Sequence, residues 1–294
     1  MRQGVVLNFG GIDEPGSYAE ARCVVLPVPY DGTTTYQPGT RRGPLAILEA
    51  SGHMELYDHE LGNSPIEHGI WTLPPLVSEA SGPEQMVASV RQAARPLFRD
   101  GKFVLTLGGE HSITLGAIQA CKELHHELRV LQLDAHADMR DSYEGSPLSH
   151  ACVMRRVVDL GVPVVQVGIR SLSEEEVEPL RQSRVTTLFA EQHPTSEQVV
   201  TALQQWGSGP VYVTFDLDAL DPSIMPATGT PEPGGLLWEQ ALDILRAVTR
   251  TCLVVGADVV ELAPIPGMVA PDFLAAKLAY KIIGYALGAA RRAS

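Results

Sequence analysis

Short runs dominated by Val, Ile and Leu recur along this chain, at Cys23 to Val28, Phe103 to Leu107, Val130 to Leu133, Val164 to Val167, Val211 to Phe215 and Cys252 to Val260. Runs that are apolar at consecutive rather than alternate positions suit strands buried on both faces, and such sheets are parallel and covered by helices. Amphipathic stretches stand between them. Gly43 to Ala50, Ser112 to Leu124, Ser149 to Leu160, Ser196 to Trp206 and Leu236 to Thr249 read as helices. Near the end of the chain, Leu274, Leu278, Ile282, Ile283 and Ala286 fall at three- and four-residue steps on one face of a closing helix. The alternation predicts the α/β class, with a central, mainly parallel sheet flanked by helices. No linker interrupts the pattern, so residues 1–294 read as a single domain with a sizeable core.

Three of the runs end abruptly in polar residues. Gly108-Gly109-Glu110-His111 follows the second run, Asp134-Ala135-His136-Ala137-Asp138 the third, and Asp216-Leu217-Asp218 the fifth. Ligands of open α/β sheets bind at the carboxyl ends of the strands, so the three clusters are expected to meet in one crevice. In extended backbone a two-residue step returns the side chain to the same side, which lets each Asp-containing pair face one ion site. With His111 they offer four carboxylates and two imidazoles, a charge that balances two divalent cations; uncompensated, the buried carboxylates would be very costly. Any one of these aspartates alone reads as a helix cap. The set does not. With no thiolate and more oxygen than nitrogen donors, the ligands suit a hard ion such as Mn(II). Two ions about 3.5–4 Å apart can share a water and bring its pKa near neutrality, making a hydroxide nucleophile.

Composition excludes several classes. Lys plus Arg total 22 against 35 Asp plus Glu, a formal net charge of -13, which disfavours nucleic acid and favours cationic ligands. The N-terminus has no signal-peptide pattern, and Lys277 and Lys281 break the longest apolar stretch, so neither export nor a membrane span is expected. Cys23, Cys121, Cys152 and Cys252 are scattered without a CxxC pair, which fits a reducing, cytoplasmic setting. No GxGxxG or GxxxxGKS motif offers a nucleotide cradle. Two Pro/Gly-rich stretches, Asp31 to Pro44 and Asp221 to Gly235, are too long and irregular for simple connections; long loops of this kind are often functional, although Gly and Pro also dominate plain turns.

The three clusters closely resemble the metal motifs of the ureohydrolases, the family of arginase and agmatinase. The likeness runs from about Val24 through Pro38-Gly39-Thr40-Arg41-Arg42-Gly43-Pro44 to Val259-Val260-Glu261-Leu262-Ala263-Pro264 and the last helix. It implies a three-layer arginase-like fold and two Mn(II) ions. One is expected on His111, Asp134, Asp138 and Asp216, the other on Asp134, His136, Asp216 and Asp218, with Asp134 and Asp216 bridging. The resemblance makes Glu261 the carboxylate that pairs with a guanidinium, a planar cation suited to a bidentate acceptor. It makes His150, in Ser149-His150-Ala151, the histidine that passes a proton to the leaving amine. The implied reaction is attack of the shared hydroxide on the guanidinium carbon with release of urea. The family is commonly built from trimers, so a homo-oligomer, trimer or hexamer, is expected. Without the resemblance, His150 reads equally well as a helix cap and Glu261 as a salt-bridged strand end. His53, His59, His68, His125, His126 and His193 fall outside any ligand spacing and read as structural or solvent-facing.

The loop Met139 to Ser149 lacks the asparagine-and-serine pattern by which arginase holds the amino-acid end of arginine; Arg140 stands at the asparagine position. Agmatine, cut to putrescine and urea, is the leading expectation, with Asp141 and Glu144 as candidates for attracting its amine. Aminopropylagmatine is the nearest rival. Arg140, Arg155 and Arg156 keep carboxylate substrates open, guanidinobutyrate and formiminoglutamate among them, unless these arginines pair with acidic neighbours. From other classes, a single-zinc polyamine deacetylase would leave His111, Asp138 and Asp218 idle. A non-catalytic metal-binding protein would be expected to have lost a ligand, His150 or Glu261, and none is lost.

Overall fold

The computed structural model describes residues 7–13, 16–182 and 184–290. Eight strands form one sheet in the order β2-β1-β3-β8-β7-β4-β5-β6, and every neighbouring pair is parallel. The strands are β1 (Cys23–Val28), β2 (Ile70–Thr72), β3 (Phe103–Gly108), β4 (Arg129–Leu133), β5 (Val164–Ile169), β6 (Val185–Phe189), β7 (Val211–Asp216) and β8 (Val254–Val260). The six expected runs are the six inner strands. The two edge strands carry weaker signals: β2 has three residues, and β6, Val-Thr-Thr-Leu-Phe, is only half buried along its length.

The helices are α1 (Gly43–Ser51), α2 (Pro83–Arg99), α3 (Thr114–Lys122), α4 (Val153–Asp159), α5 (Glu174–Gln182), α6 (Ser196–Gln205), α7 (Trp238–Thr251) and α8 (Ala270–Ala290). α2 and α5 were not anticipated. Two expected helices start differently: His111–Ile113 and His150–Cys152 are single 3-10 turns, and the α-helices begin three residues later than the histidines. The tighter turn serves the site by setting each histidine at the mouth of its helix.

Alternation along the strands sorts the core into two layers. Val25, Leu105, Leu131, Val213 and Val259 pack against α1, α6, α7 and α8. Val24, Val104, Val130, Tyr212 and Val260 pack against α2, α3 and α4. This second face also carries a row of fully buried polar side chains. Thr106, Asp258, Thr214, Gln132 and Gln166 lie in register across β3, β8, β7, β4 and β5. Buried polar groups require partners, and this row lies one step below the strand ends.

Candidate metal centre and active site

Four adjacent strands at the middle of the sheet, β3, β8, β7 and β4, deliver the expected groups at their carboxyl ends. His111 follows β3, Glu261 follows β8, Asp216 closes β7 with Asp218 just beyond, and Asp134 follows β4. His111 Nδ1 is buried and lies 3.0 Å from Asp134 Oδ2, 3.0 Å from Asp138 Oδ2 and 3.3 Å from Asp216 Oδ2, with hydrogen-bond geometry to none of them. His136 Nδ1 lies 3.0 Å from Asp218 Oδ2 and 3.6 Å from Asp134 Oδ1. Ligand atoms of His111, Asp134 and Asp216 converge on one point, and those of Asp134, His136 and Asp218 on a second, with Asp134 common to both.

The pleated-strand reading of these motifs holds only in part. Asp218 sits in a 3-10 turn, Leu217–Ala219, where Asp216 Oδ1 accepts the Asp218 N–H at 2.9 Å. Asp138 turns back toward His111 through a left-handed backbone at φ 52°, and Glu261 does the same at φ 66°. Both are positions where a non-glycine residue is held against its preference by its surroundings, as happens at functional sites.

The polar row below orients the ligands. His111 Nε2 is 2.8 Å from Thr214 Oγ1, which donates to Asp258 Oδ1 at 2.6 Å; Tyr212 donates to the other oxygen of Asp258 at 2.9 Å. With its hydroxyl proton committed to Asp258, Thr214 accepts from Nε2–H, so a neutral His111 carries a lone pair on Nδ1, aimed at the three carboxylates. Gln132 Nε2 donates to Asp134 Oδ2 at 2.7 Å, and Gln166 donates to Gln132 at 2.7 Å. A buried lone pair facing three carboxylate oxygens is repulsive unless a proton or a metal ion lies between them; burial opposes charge on His111, but Asp134, Asp138 and Asp216 push its imidazole well above the usual range. The donor set therefore fits divalent ions.

Charge crowding reads the same way. Burial, then the Asp218 and Asp134 carboxylates, pushes Asp216 well above the usual carboxylate range. Asp138 is pushed up to about 7 by burial and by Asp134. Burial, then Glu110, raises Glu261. Burial drops His150 to about 4. Without cations the cluster retains protons that bound ions would displace.

A cavity of about 310 Å³ opens above this floor, lined by His111, His136, Asp138, Asp216, Asp218, Glu261 and His150, and by Thr34, Thr35, Gly229, Thr230 and Glu232 from the two Pro/Gly-rich loops. Glu261 Oε1 accepts the His111 N–H at 2.6 Å. His150 is held by a chain not anticipated from sequence. Thr33 donates its backbone N–H and its hydroxyl to Glu110 at 2.6 Å each; the hydroxyl accepts the His150 N–H at 3.0 Å and lies 3.4 Å from Nδ1. The remaining six histidines line no part of the cavity.

The loop Met139 to Ser149 differs from expectation. Asp141 pairs with Arg156 at 2.8 Å, and Glu144 lies in a tight turn closed by Tyr143 and Ser146; neither lines the cavity. Arg155 and Arg156 pair with Asp159, and Arg140 pairs with Glu175 at 2.5 Å. These arginines are committed to acidic neighbours within the chain.

Residues 21–284 match the model of the arginase family. The chain belongs to the arginase family. An N(1)-aminopropylagmatine ureohydrolase of Synechocystis is 44% identical over 276 residues, 92% of this chain and 90% of that protein. One from Thermus thermophilus is 43% identical, covering 95% of this chain and 94% of its own. An agmatinase of Bacillus anthracis is 35% identical over 85% of this chain and 86% of its own. Among solved structures, an agmatine ureohydrolase of Thermoplasma volcanium superposes with a TM-score of 0.89 at 30% identity, covering 98% of this chain and 97% of that one. This arginase-family chain is a ureohydrolase with the three-layer α/β architecture of the family. Among the described residues no helix is long and apolar enough to cross a membrane.

Proposed function

We propose that this ureohydrolase uses two Mn(II) ions to cut urea from a guanidino amine in the cytoplasm, with N(1)-aminopropylagmatine the leading substrate and agmatine the next. The observation that carries the proposal is the unpartnered Nδ1 of His111 facing three carboxylates beside a second ligand group that shares Asp134. The oxygen-rich, thiolate-free donor set favours Mn(II), and Asp138 and Asp216 complete the pair of sites. A single-zinc, deacetylase-like site would leave one of the two groups without a task. The relatives of 43–44% identity named for aminopropylagmatine move that substrate ahead of agmatine.

Two divalent ions held there supply a nucleophile from water at neutral pH. Glu261, fixed by the His111 N–H, accepts the guanidinium and turns its carbon toward the floor. A carboxylate crowded by burial and by Glu110 is well matched to an incoming cation, which lowers the cost of keeping it charged. His150 is held neutral by burial and pinned by Thr33, so it can take up a proton at Nδ1 or Nε2 and release it to the departing amine.

The test is urea release by Mn(II)-loaded protein on aminopropylagmatine, agmatine, arginine and guanidinobutyrate, with formamide release from formiminoglutamate in parallel. Preference for aminopropylagmatine is expected. Preference for arginine or for either acid would overturn the substrate, and silence on all five from protein holding two ions per chain would overturn the activity.

A further inference from the structure

Resting on the guanidino-amine reading, the geometry points to Glu232 as the specificity residue that receives the ammonium beyond the guanidinium. The other acidic side chains of the cavity have tasks. Asp138, Asp216 and Asp218 face the imidazoles of the floor. Glu261 accepts the His111 N–H. Glu176 is buried and takes the N–H groups of Met139 and Ser173 at 2.8 and 2.7 Å. The cation on the wall, Arg140, is neutralised by Glu175 and lies 4.7 Å over the Tyr143 ring. Glu232 lines the cavity, and its side chain has no hydrogen-bond or ion-pair partner among the described residues.

Its backbone is anchored. Arg170 Nη2 donates to the Glu232 carbonyl at 2.7 Å and Nε to that of Pro233 at 3.0 Å. Asp221 accepts the N–H groups of Gly234 and Gly235 at 2.8 and 3.1 Å. Pro231 and Pro233 fix φ on either side. A half-exposed carboxylate on a clamped, proline-flanked segment loses little entropy on capturing a cation.

Reach is also suitable. At Gly229 a β-carbon would stand 4.0 Å from Glu261 Oε2, so the segment leaves the guanidinium end and arrives at Glu232 three residues later. Three residues span at most about 10 Å. Six bonds separate the guanidinium carbon of agmatine from its amine, roughly 7 Å when extended. The nitrogen four carbons from the guanidine is thus within reach of Glu232. That nitrogen is the primary ammonium of agmatine and the secondary one of aminopropylagmatine.

The experiment compares wild type, Glu232→Gln and Glu232→Lys, all Mn(II)-loaded, on agmatine, aminopropylagmatine, 4-guanidinobutyrate and n-butylguanidine, which lacks the second charge. For Glu232→Gln the KM for both amines should rise about tenfold, the scale of one charge-assisted hydrogen bond, with kcat changed far less. The inhibition constant of n-butylguanidine should stay put. Glu232→Lys should shift preference toward 4-guanidinobutyrate. Equal losses for agmatine and n-butylguanidine, or none for agmatine, would overturn the assignment. If wild type binds two ions per chain but releases no urea, the substrate reading fails. Calorimetric binding of agmatine against n-butylguanidine to the same variants then decides Glu232 separately.

Discussion

Thr33→Val isolates the chain that holds His150. Valine keeps the shape of threonine and removes one hydroxyl, which donates to Glu110 Oε1 at 2.6 Å and accepts the His150 N–H at 3.0 Å. The first bond goes to a buried carboxylate and contributes about 1.5–3 kcal/mol; the second is a neutral bond of about 1 kcal/mol. Glu110 keeps the Thr33 N–H and the Ser112 hydroxyl, and Thr33 is only partly buried, so a net loss of about 2–3 kcal/mol is expected. For 294 residues the entropy of unfolding is about 0.6 kcal/mol per degree, which turns that loss into a Tm drop of about 3–5 °C. Loss of a general acid-base group costs about 10²–10⁴ in rate, and a histidine left in place but unpinned should lose about tenfold in kcat. The assay is urea release and calorimetric melting with metal content measured in parallel, alongside Thr33→Ser, which restores the hydroxyl. Wild-type kcat in Thr33→Val, or metal loss matching the activity loss, would refute a positioning role for Thr33.

Asp134→Asn and Asp218→Asn should each abolish activity and reduce metal content, whereas His150→Ala should keep two ions while losing turnover; metal loss in the histidine variant would contradict its assignment. Thr214→Val, which frees the His111 ring, should weaken metal binding about 10- to 100-fold, and unchanged affinity in a chelator competition would show that the ring is fixed otherwise. Metal loading should release protons at pH 7. With Asp138 near 7 and Asp216 above its ordinary range in the ion-free protein, ions displace protons, so affinity rises with pH through neutrality and falls in acid. Titration heats that do not vary with buffer ionisation enthalpy would deny this. Without metal, the raised carboxyls of Asp138, Asp216 and Glu261 keep protons in the folded state that the unfolded one has lost, outweighing the single opposing proton of His150. The stability of ion-free protein should therefore fall as pH rises from about 4 to 7, and a flat denaturation midpoint would contradict the burial argument.

Much of this protein is legible without coordinates because its strongest signals are local. Inner strands of a parallel sheet are apolar at every position, so β1, β3, β4, β5, β7 and β8 announce themselves, and the polar residues closing three of them mark the crevice. The edge strands are less visible: Ile70–Thr72 is too short, and Val185–Phe189 is only partly buried at every position. Asp258 was a readable clue, since a carboxylate inside Val254–Val260 must find partners, but nothing in sequence says that these are Thr214 and Tyr212. The same holds for Thr33, Glu110 and Glu232. Thr33 and Glu110 are 77 residues apart, and Thr33 and His150 are 117 apart. Sequence alone therefore determined the class of fold, the family and the carboxylates and imidazoles that meet at the strand ends. Only the tertiary structure decided which acidic residue faces the cavity, removing Asp141 and Glu144 and admitting Glu232, because ion pairing and loop direction depend on neighbours that the chain brings together only on folding.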